Sequence, residues 1–274
     1  MSVRHLLTSH MRILFCCFLP LGVLDAQYVR SPRDTIRLRE VTATTTTVET
    51  PQGALELKSE HDAVIAITFG AKDSARAWYE SLRIASSSPR GKQEPSTDAA
   101  LRLPFVLEFD ARGQVKTLAA PTFPATFQGI SDLTSQFDDF FVRLPGQPLH
   151  LGLTWTDTTT TSRSSGESRS VLVKRGAYRV LRDTLVSGEP AYVISVTQEI
   201  ENRSSQPVQG LTATSTLIGS DQGIIVFSKA GRLLGRQRQG DLRGEITYTG
   251  GSSPVRMPQR IQYGNSVTSP PGRQ

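Results

Sequence analysis

Two histidines beyond residue 26 could serve as a general base, His61 in KSEHDAV and His150 in QPLHLGL. A serine hydrolase needs such a base next to an activated nucleophile. Neither histidine adjoins a nucleophile motif, because the chain contains no Gly-x-Ser-x-Gly and no Ser-x-x-Lys pattern. A zinc site would need both histidines and added carboxylates, and no His-x-x-x-His motif is present. We therefore expect each histidine to be a surface or strand residue, and we predict no metal site.

Paired carboxylates could perform glycosidase chemistry, which needs only two acids that the fold brings together. Asp138 and Asp139 are neighbours in the sequence, and on a helix their side chains would diverge by about 100°. We predict that they form a solvated helix face. The chain also lacks the glycine-rich loops that bind nucleotide phosphates, so we predict no cofactor. A hydrolase with carboxylates assembled by the fold stays open as a third hypothesis.

The first 26 residues have the layout of a secretory signal peptide. Basic residues precede an apolar run over residues 13–24, and Ala26 is a small residue suited to cleavage. Translation from Met1 or from Met11 stays open, and a start at Met11 leaves a very short basic region before the apolar run. We predict a bacterial protein exported to the periplasm or the outside of the cell, with residues 1–26 removed and no transmembrane segment in the remainder.

The two cysteines of the chain, Cys16 and Cys17, both lie inside that apolar run. A form that begins near Gln27 therefore contains no thiol, which removes cysteine nucleophiles, thiolate metal sites and disulfides together. An exported chain without disulfides must fold on its hydrophobic core alone.

The basic residues of the chain are scattered. The net charge is +6 for all 274 residues, and the densest basic stretch, GRLLGRQRQGDLRG, places Arg232, Arg236 and Arg238 on one strand face. We interpret such charges as solvated strand faces, since neither a basic block nor interleaved aromatic residues are present. Export argues against a nucleic-acid partner, and weak contact with anionic lipid or polysaccharide stays open.

The elements that must position these residues begin with strands. Residues 35–69 are predicted to be extended, because RLREVTATTTTVET is rich in β-branched residues and AVIAITF is a short apolar run. Between these runs, Pro51–Gly53 suits a β-turn. The start of the chain is therefore predicted to be antiparallel.

Two α-helices are predicted from apolar residues at helical spacing. The first spans about residues 74–84 and follows Asp73, a suitable N-cap. Its apolar positions are Ala75, Trp78, Leu82 and Ala85. The second begins at its N-cap Ser131 and ends before Pro145. Its apolar stripe consists of Ile130, Leu133, Phe137, Phe140 or Phe141, and Leu144.

Strand patterns dominate the second half of the chain. The segment TDTTTTSRSSGESRS is predicted to be a loop or an exposed hairpin. Two similar phrases, FDARGQV and FSKAGRL, each predict a three-residue hairpin loop closed by a glycine at positive φ, Gly113 and Gly231. Further strands are predicted near residues 171–186, 191–201, 211–218, 223–227, 233–248 and 255–263.

The predicted fold class is mainly β, with long antiparallel strands in a curved sheet that forms a half-barrel or open barrel covered by two α-helices. Residues 1–26 are the signal peptide and residues 27–142 a β unit with the two helices. Residues 143–266 are an antiparallel β unit that packs with the first as one globular body. Residues 267–274 are predicted to be a disordered tail.

The segment LPGQPLHLGLTW, residues 144–155, has the pattern Leu-Pro-x-x-Pro-x-x-x-Gly-x-x-Trp between an amphipathic helix and an all-β half. In this it resembles uncharacterised families of exported bacterial β proteins, and the resemblance extends over residues 35–265. The resemblance implies a fold similar to the half-barrels of lipoprotein carriers and related lipid-binding envelope proteins. It implies no activity.

Aromatic residues on or beside the two helices give the remaining candidates for a binding site, since the concave face of a half-barrel could hold an acyl chain. These candidates are Trp78, Phe137, Phe140, Phe141 and Trp155. The alternative is that they form the core between helix and sheet. The leading hypothesis is a non-enzymatic exported protein that binds a lipid or another apolar or amphiphilic envelope ligand. The second is a structural or protein-interaction module with an envelope protein as its partner.

Overall fold

The computed structural model describes residues 27–28, 35–71, 73–123, 133–135, 137, 140–251 and 253–269. These residues contain 12 strands. Their bounds are β1 Thr35–Thr50, β2 Gly53–Phe69, β3 Ser74–Ser88, β4 Gly91–Gln93, β5 Phe105–Phe109, β6 Val115–Ala119, β7 Thr154–Ser165, β8 Ser168–Val186, β9 Glu189–Val208, β10 Leu211–Ser228, β11 Leu233–Thr249 and β12 Val255–Thr268.

All 12 strands belong to one curved antiparallel sheet that does not close on itself. Its order is β6-β5-β3-β2-β1-β12-β11-β10-β9-β8-β7, with β4 paired to β3 beside this path. The two halves of the chain meet where β1 pairs with β12. The predicted antiparallel, open architecture is therefore confirmed, and β6 and β7 are its two edges.

Two of the predicted turn segments are confirmed. Pro51 and Gln52 connect β1 to β2, with Thr50 paired to Gly53. The threonine-rich segment is a hairpin, in which β7 pairs with β8 from Thr154 to Ser165.

The first predicted helix is wrong, because residues 74–88 form β3. Ala75, Ala77 and Tyr79 are buried in alternation, as in a strand. A bulge then shifts the register between β2 and β3, so that Leu82 and Ile84 become the buried residues. One extra residue in a period of two produces apolar spacings of three and four, which imitate a helix.

The second predicted helix is also not formed in the described residues. A 3₁₀ turn spans Leu133–Ser135, and residues 140–153 run as an irregular segment. Its aromatic residues still pack inward, which accounts for the apolar stripe in the sequence. Asp138 and Asp139 lie outside the described residues.

The prediction of two separate strands over residues 211–218 and 223–227 is wrong, because strand β10 is continuous from Leu211 to Ser228, although SDQG between them has the composition of a turn. Glycines allow this by letting the neighbouring strand approach closely. A Cβ at Gly219 would lie 2.1 Å from the carbonyl oxygen of Asp241, and one at Gly223 would lie 2.0 Å from that of Gln237. These glycines favour a tightly curved sheet.

The two similar hairpin loops have the predicted closure. Gly113 has φ +88° and Gly231 has φ +81°. In both loops the glycine N–H donates to the carbonyl three residues earlier, at 3.1 Å from Asp110 and 3.0 Å from Ser228. The repeated phrase therefore codes for a turn.

The main hydrophobic core lies on one face of the sheet, which we term the inner face. It combines inward residues of β1, β2, β3, β5, β8, β9, β10, β11 and β12 with the segment before β7. Tyr28 also belongs to it, with its ring edge-on to Phe109, Phe141 and Phe227. No helix within the described ranges is long and apolar enough to span a bilayer.

Candidate functional site

Along the strands, the inward side chains are first apolar, then polar, and then apolar again. On β9, Val196 belongs to the main core, Gln198 is polar and buried, and Ile200 belongs to a second, smaller apolar cluster. These three alternate along the strand and therefore share a face. The neighbouring strands also have a buried polar residue between the two apolar regions, which is Asp221 on β10 and Arg238 on β11.

A layer of buried polar residues thus separates two apolar regions, and we term it the polar layer. Its members are Glu40, Gln198, Asp221, Arg236 and Arg238, which are 2–8 % exposed. Buried charges are costly unless they are paired, and the polar layer consists of two paired groups.

The first group is centred on Arg238. Its guanidinium donates to the carboxylate of Asp221 and to the side-chain oxygen of Gln198. Asp221 also accepts from the hydroxyl of Tyr263 at 2.6 Å, and Gln198 donates to the hydroxyl of Tyr178 at 3.0 Å. This group therefore joins five neighbouring strands, β8 to β12.

The second group is centred on Arg236, which ties the sheet to the segment before β7. Nη2 of Arg236 lies 3.4 Å from Glu40 and donates to Asn265 at 2.8 Å. Nη1 donates to the carbonyl of Phe140 at 2.5 Å, and the guanidinium lies over the Phe140 ring, 5.6 Å from its centroid. Asn265 completes the group by donating to Glu40 at 2.7 Å.

These contacts correct the interpretation of the basic stretch on β11. Arg236 and Arg238 are inward and buried, whereas Arg232 pairs with Glu189 in a largely exposed position. The prediction of a solvated position therefore holds for Arg232 and is wrong for Arg236 and Arg238. The reason is that each buried arginine has an acidic partner on another strand, which the sequence does not reveal.

Beyond the polar layer lies the second apolar region, which we term the distal cluster. Ile200, Leu217 and Leu242 form its buried centre. Leu172 and Ile261 pack against it and are half-buried, as is Tyr263. The distal cluster therefore continues the apolar inner face of β8 to β12 away from the main core.

A cavity of about 150 Å³ lies where the two ends of the sheet face each other, and we term it the seam cavity. Residues 113–115 of the β5–β6 hairpin line one side, and residues 157–161 of β7 line the other. The remaining lining residues are Phe141, Arg143, Lys174, Tyr178 and Gln198. The seam cavity reaches the polar layer through Gln198 and lies beside the distal cluster at Lys174, which pairs with Ile200.

The charged residues that line the seam cavity are two cations and one carboxylate. Nη1 of Arg143 lies 3.0 Å from Oδ1 of Asp157, and both side chains are mostly buried. Lys174 supplies the second cation. A glycosidase needs two carboxyl groups at its site, and among the described lining residues Asp157 is the one acid, so this cavity does not provide that pair.

The wall of the seam cavity is held by a stack of two rings. Trp155 lies parallel to Tyr178, with centroids 5.0 Å apart, and its Nε1 donates to the carbonyl of Arg143 at 3.2 Å. The ring of Tyr178 lies over Gly176, where a Cβ would come within 2.7 Å of it. Glycine at this position therefore lets the ring lie flat against β8.

The five aromatic candidates occupy three different places. Phe141 lines the seam cavity, and Trp155 stacks beside it. Phe137 and Phe140 are packed in the main core at 0 % and 1 % exposure. Trp78 lies on the opposite, outer face of β3, because its neighbours Ala77 and Tyr79 point into the core.

The two histidines have separate environments. His61 is on β2, where burial lowers its pKa, opposed by the charges of Glu40 and Asp62. Its Nε2 has no hydrogen-bond partner among the described residues, which suits the neutral form. His150 is exposed in the segment before β7. Across the described ranges, no group of three or more His, Cys, Asp and Glu side chains could hold a metal ion.

Apart from Phe141, the residues of the polar layer and the seam cavity were not predicted as site residues from the sequence. The available signal is a polar residue at an inward position of an alternating strand, such as Gln198 between Val196 and Ile200. Lys174 and Asp157 occupy such positions on β8 and β7. Alternation marks them as inward, but it does not identify which strands they meet.

A second, larger depression of about 410 Å³ lies on β9, β10 and β11. Its side chains include Gln222, Ile224, Gln237 and Gln239, which are exposed on the outer face. Apart from the inward Arg238, its lining is uncharged. The seam cavity is therefore the better candidate, since it combines partly buried charges with an adjacent apolar surface.

Comparison with known proteins leaves the chain without an assigned relative. No family model matches it, and no curated protein does. Solved structures with some likeness include Neisserial surface protein A, with 10% identity over 86% of this chain and 99% of that one at a TM-score of 0.23. Pseudomonas aeruginosa OccK2 has 8% identity over 87% and 98%, also at 0.23. Salmonella typhi OmpF in complex with daunomycin has 6% identity over 86% and 98%, at 0.25. Likeness at this level carries no argument about function.

Proposed function

We propose that this chain is a non-enzymatic binding protein for an anionic amphiphile. The head group would lie in the seam cavity beside Arg143 and Lys174, and the apolar chain would lie along the distal cluster. The observation that carries the proposal is the juxtaposition of these two surfaces on one strand. Leu172 of the distal cluster and Lys174 of the seam cavity are consecutive inward residues of β8.

The size of the seam cavity supports a ligand whose head group lies inside the cavity and whose apolar chain lies outside it. Sites that enclose a whole small molecule usually measure about 300–1,000 Å³, whereas the seam cavity measures about 150 Å³. It has room for a carboxylate or phosphate head group, and the apolar chain would need the inner face beyond it.

The charge of the lining supports an anionic head. Two cations and one carboxylate leave a positive excess. At about 4 Å and the effective dielectric typical of a partly buried site, two unit charges interact by about 4 kcal/mol before desolvation is subtracted. The side-chain amide of Gln198 adds a polar group at the back of the cavity.

The export of this protein is part of the proposal. The layout of residues 1–26 supports a signal peptide, and the Leu-Pro-x-x-Pro-x-x-x-Gly-x-x-Trp segment supports membership of an exported bacterial β family. N-terminal sequencing of protein recovered from the periplasm or medium is expected to begin near Gln27. A chain that keeps Cys16 at its N-terminal end would contradict this part.

Titration with dansyl-undecanoic acid, which fluoresces on entering an apolar site, tests the head-group position. We expect saturable binding to the parent and a loss of at least about tenfold in affinity for Lys174→Glu, equivalent to about 1.4 kcal/mol. Arg175→Glu is the matched control, because Arg175 is the next residue of β8 and is exposed on the outer face.

The same probe tests the position of the apolar chain. Leu172→Ser removes an inward, half-buried side chain of the distal cluster, and Val171→Ser removes its exposed neighbour on the outer face. We expect weaker binding for Leu172→Ser alone. Absence of saturable binding to the parent, or equal effects within each pair of variants, would overturn the proposal.

A further inference from the structure

Exposed apolar side chains are concentrated at one end of the sheet, around the turn that joins β8 to β9. The members of this group, which we term the rim patch, are Leu151, Leu181, Leu185 and Val186. Leu185 is 70% exposed and Leu151 is 63% exposed, more than any other large apolar side chain among the described residues. Single exposed leucines are ordinary on protein surfaces, whereas a group of them in one place is typical of an interaction site.

Backbone pairing brings the segment before β7 to the rim patch. The N–H of Gly152 donates to the carbonyl of Val180 at 3.0 Å, and the N–H of Val180 donates to the carbonyl of Leu153 at 2.9 Å. A bulge follows in β8, which leaves Leu181 without a paired residue on β9. This pairing therefore places Leu151 beside the bulge at Leu181.

The other two members of the rim patch lie at the tip of the β8–β9 hairpin. Leu185 pairs with Pro190 and Val186 with Glu189, and the turn between the strands consists of two residues at positive φ. Successive residues of a strand alternate between its faces, so Leu185 and Val186 project to opposite sides of the hairpin. The tip therefore presents apolar surface on both sides.

The acidic residues at this end of β8 and β9 are neutralised by cations of the β10–β11 turn. Nζ of Lys229 lies 3.2 Å from Oδ1 of Asp183, and Arg232 forms an ion pair with Glu189. Lys229 is also held by the ring of Tyr192, with its Nζ 4.8 Å from the ring centroid. Both acids therefore have a cationic partner within the chain.

Two arginines beside the rim patch keep their charge uncompensated. Arg179 and Arg182 are exposed on β8, and neither has an acidic partner among the described residues. Arg182 directly follows Leu181 in the chain, and Arg179 precedes Leu181 by two residues, so both flank the rim patch. An apolar patch flanked by unpaired cations is complementary to an anionic lipid surface.

We propose that the rim patch docks this protein onto a lipid bilayer that contains anionic lipid. The apolar side chains enter the interface, and Arg179 and Arg182 contact the lipid phosphates. A second copy of the chain is a poorer occupant, because it would bring the same unpaired arginines towards each other. The inference does not depend on the amphiphile proposal, since Lys174 of the seam cavity is about 35 Å of extended strand away from Leu185 on β8.

Sedimentation with lipid vesicles tests the apolar part of the rim patch. With protein recovered from its own host, we expect binding to vesicles of phosphatidylcholine and phosphatidylglycerol in equal parts, and binding at least about tenfold weaker to phosphatidylcholine alone. Leu151→Ser with Leu185→Ser is expected to weaken binding to the anionic vesicles at least about tenfold. The matched control is Leu118→Ser with Ile218→Ser, because these side chains are 55% and 60% exposed elsewhere on the sheet.

The two arginines are tested in the same assay. Arg179→Gln with Arg182→Gln is expected to weaken binding to the anionic vesicles at least about tenfold, since each cation near an anionic surface contributes to binding. Arg169→Gln with Arg175→Gln is the matched control, because it removes two exposed arginines from the other part of β8. Charges more than about 10 Å from the surface are screened by salt, so this control is expected to bind as tightly as the parent.

A fluorescent label separates contact at the rim patch from binding elsewhere on the chain. In a full chain with Cys16→Ser and Cys17→Ser, a nitrobenzoxadiazole label on Leu185→Cys is expected to brighten and shift to the blue with anionic vesicles. The same label on Ile218→Cys is expected to change little, because Ile218 lies in the middle of β10. Retained residues 1–26 could bind vesicles in every variant, but they would not bring residue 185 into lipid.

The outcomes decide the proposal. A blue shift at residue 185, together with weaker binding of both rim variants than of their controls, supports it. A parent that leaves anionic vesicles unbound overturns it, and so do rim variants that bind as tightly as their controls or a label at residue 185 that stays in water. Vesicle binding lost in Lys174→Glu and kept in the rim variants would assign the lipid contact to the seam cavity, which overturns this inference and leaves the amphiphile proposal intact. A dimer that forms without lipid and is lost in Leu151→Ser with Leu185→Ser would assign the rim patch to a second copy, which also overturns it.

Discussion

Removal of one charge from the polar layer is expected to destabilise the fold strongly. In the pair formed by Arg238 and Asp221 the side chains are 9% and 0% exposed. Arg238→Met leaves the carboxylate buried without its guanidinium partner, and loss of one partner from a buried pair costs about 3–5 kcal/mol. Whole domains are stable by only about 5–15 kcal/mol, so the variant is expected to lose a large part of its stability.

A second pair on the same strand provides the control. Arg243 and Asp241 also form an ion pair, with side chains 71% and 37% exposed and 3.5 Å apart. Exposed pairs contribute about 0–1 kcal/mol, so Arg243→Met is expected to cost less than about 1 kcal/mol. Both variants remove an arginine from β11, and burial is the main difference between them.

Urea unfolding, followed by circular dichroism and tryptophan fluorescence, measures both costs from the shift in midpoint. The double variant Arg238→Met with Asp221→Leu is expected to regain at least about half of the loss, because apolar replacements remove the uncompensated charge. Equal costs for Arg238→Met and Arg243→Met, or a double variant less stable than the single one, would show that the buried charge does not determine the loss of stability.

Three further predictions concern the turn, the buried tyrosine and pH. Gly113→Ala and Gly210→Ala both place a side chain at positive φ, at about 1–2 kcal/mol each. The Gly113 variant is expected to lose about 1–3 kcal/mol more unfolding free energy than the Gly210 variant, measured by thermal or urea unfolding. The reason is that a Cβ at Gly113 would lie 2.4 Å from the Tyr28 ring and 2.5 Å from the Val142 carbonyl, whereas one at Gly210 meets open space. Equal losses would contradict this. Tyr28→Phe removes the hydroxyl that donates to the Val142 carbonyl at 3.0 Å and accepts from its N–H at 3.2 Å, and calorimetry is expected to show a loss of about 1–3 kcal/mol; an unchanged melting temperature would argue against that pairing. Burial lowers the pKa of His61 below its usual 6.5, so the unfolded chain binds more protons and stability falls as pH is lowered through that range, by at most about 1.4 kcal/mol per pH unit. His61→Gln is expected to flatten the dependence between about pH 7 and 5, and an unchanged slope would refute it.

The strand content of this fold was predictable where the local pattern is clean. Alternation and β-branched residues gave β1, β2 and the long strands of the second half, and glycine chemistry gave the closures at Gly113 and Gly231. Local sequence is sufficient in these cases because turn geometry and the period of two are properties of adjacent residues.

Two features were not predictable from local pattern. The bulge in β3 produced apolar spacings that resemble a helix, and only its pairing with β2 reveals the change in phase. Gly219 and Gly223 resemble turn residues, yet they let β11 approach β10 closely. In both cases the neighbouring strand decides the structure.

The candidate site was predictable only in part. Phe141, a candidate chosen for its aromatic character, lines the seam cavity, and Trp155 stacks on Tyr178 beside it. The polar layer was missed because its partners are remote in sequence, with Glu40 and Arg236 nearly 200 positions apart. Single-strand alternation shows that such residues point inward, but pairing across the sheet decides whether their charge is compensated.

Native mass spectrometry of protein purified without detergent from its own host tests the proposed function most directly. We expect a polypeptide that carries one amphiphile per copy, identifiable in an organic extract, and that loses it in the Lys174→Glu variant while Arg175→Glu retains it. A parent protein that shows only the mass of the bare polypeptide, with no amphiphile in the extract and none taken up from added dansyl-undecanoic acid, would contradict the proposed binding function.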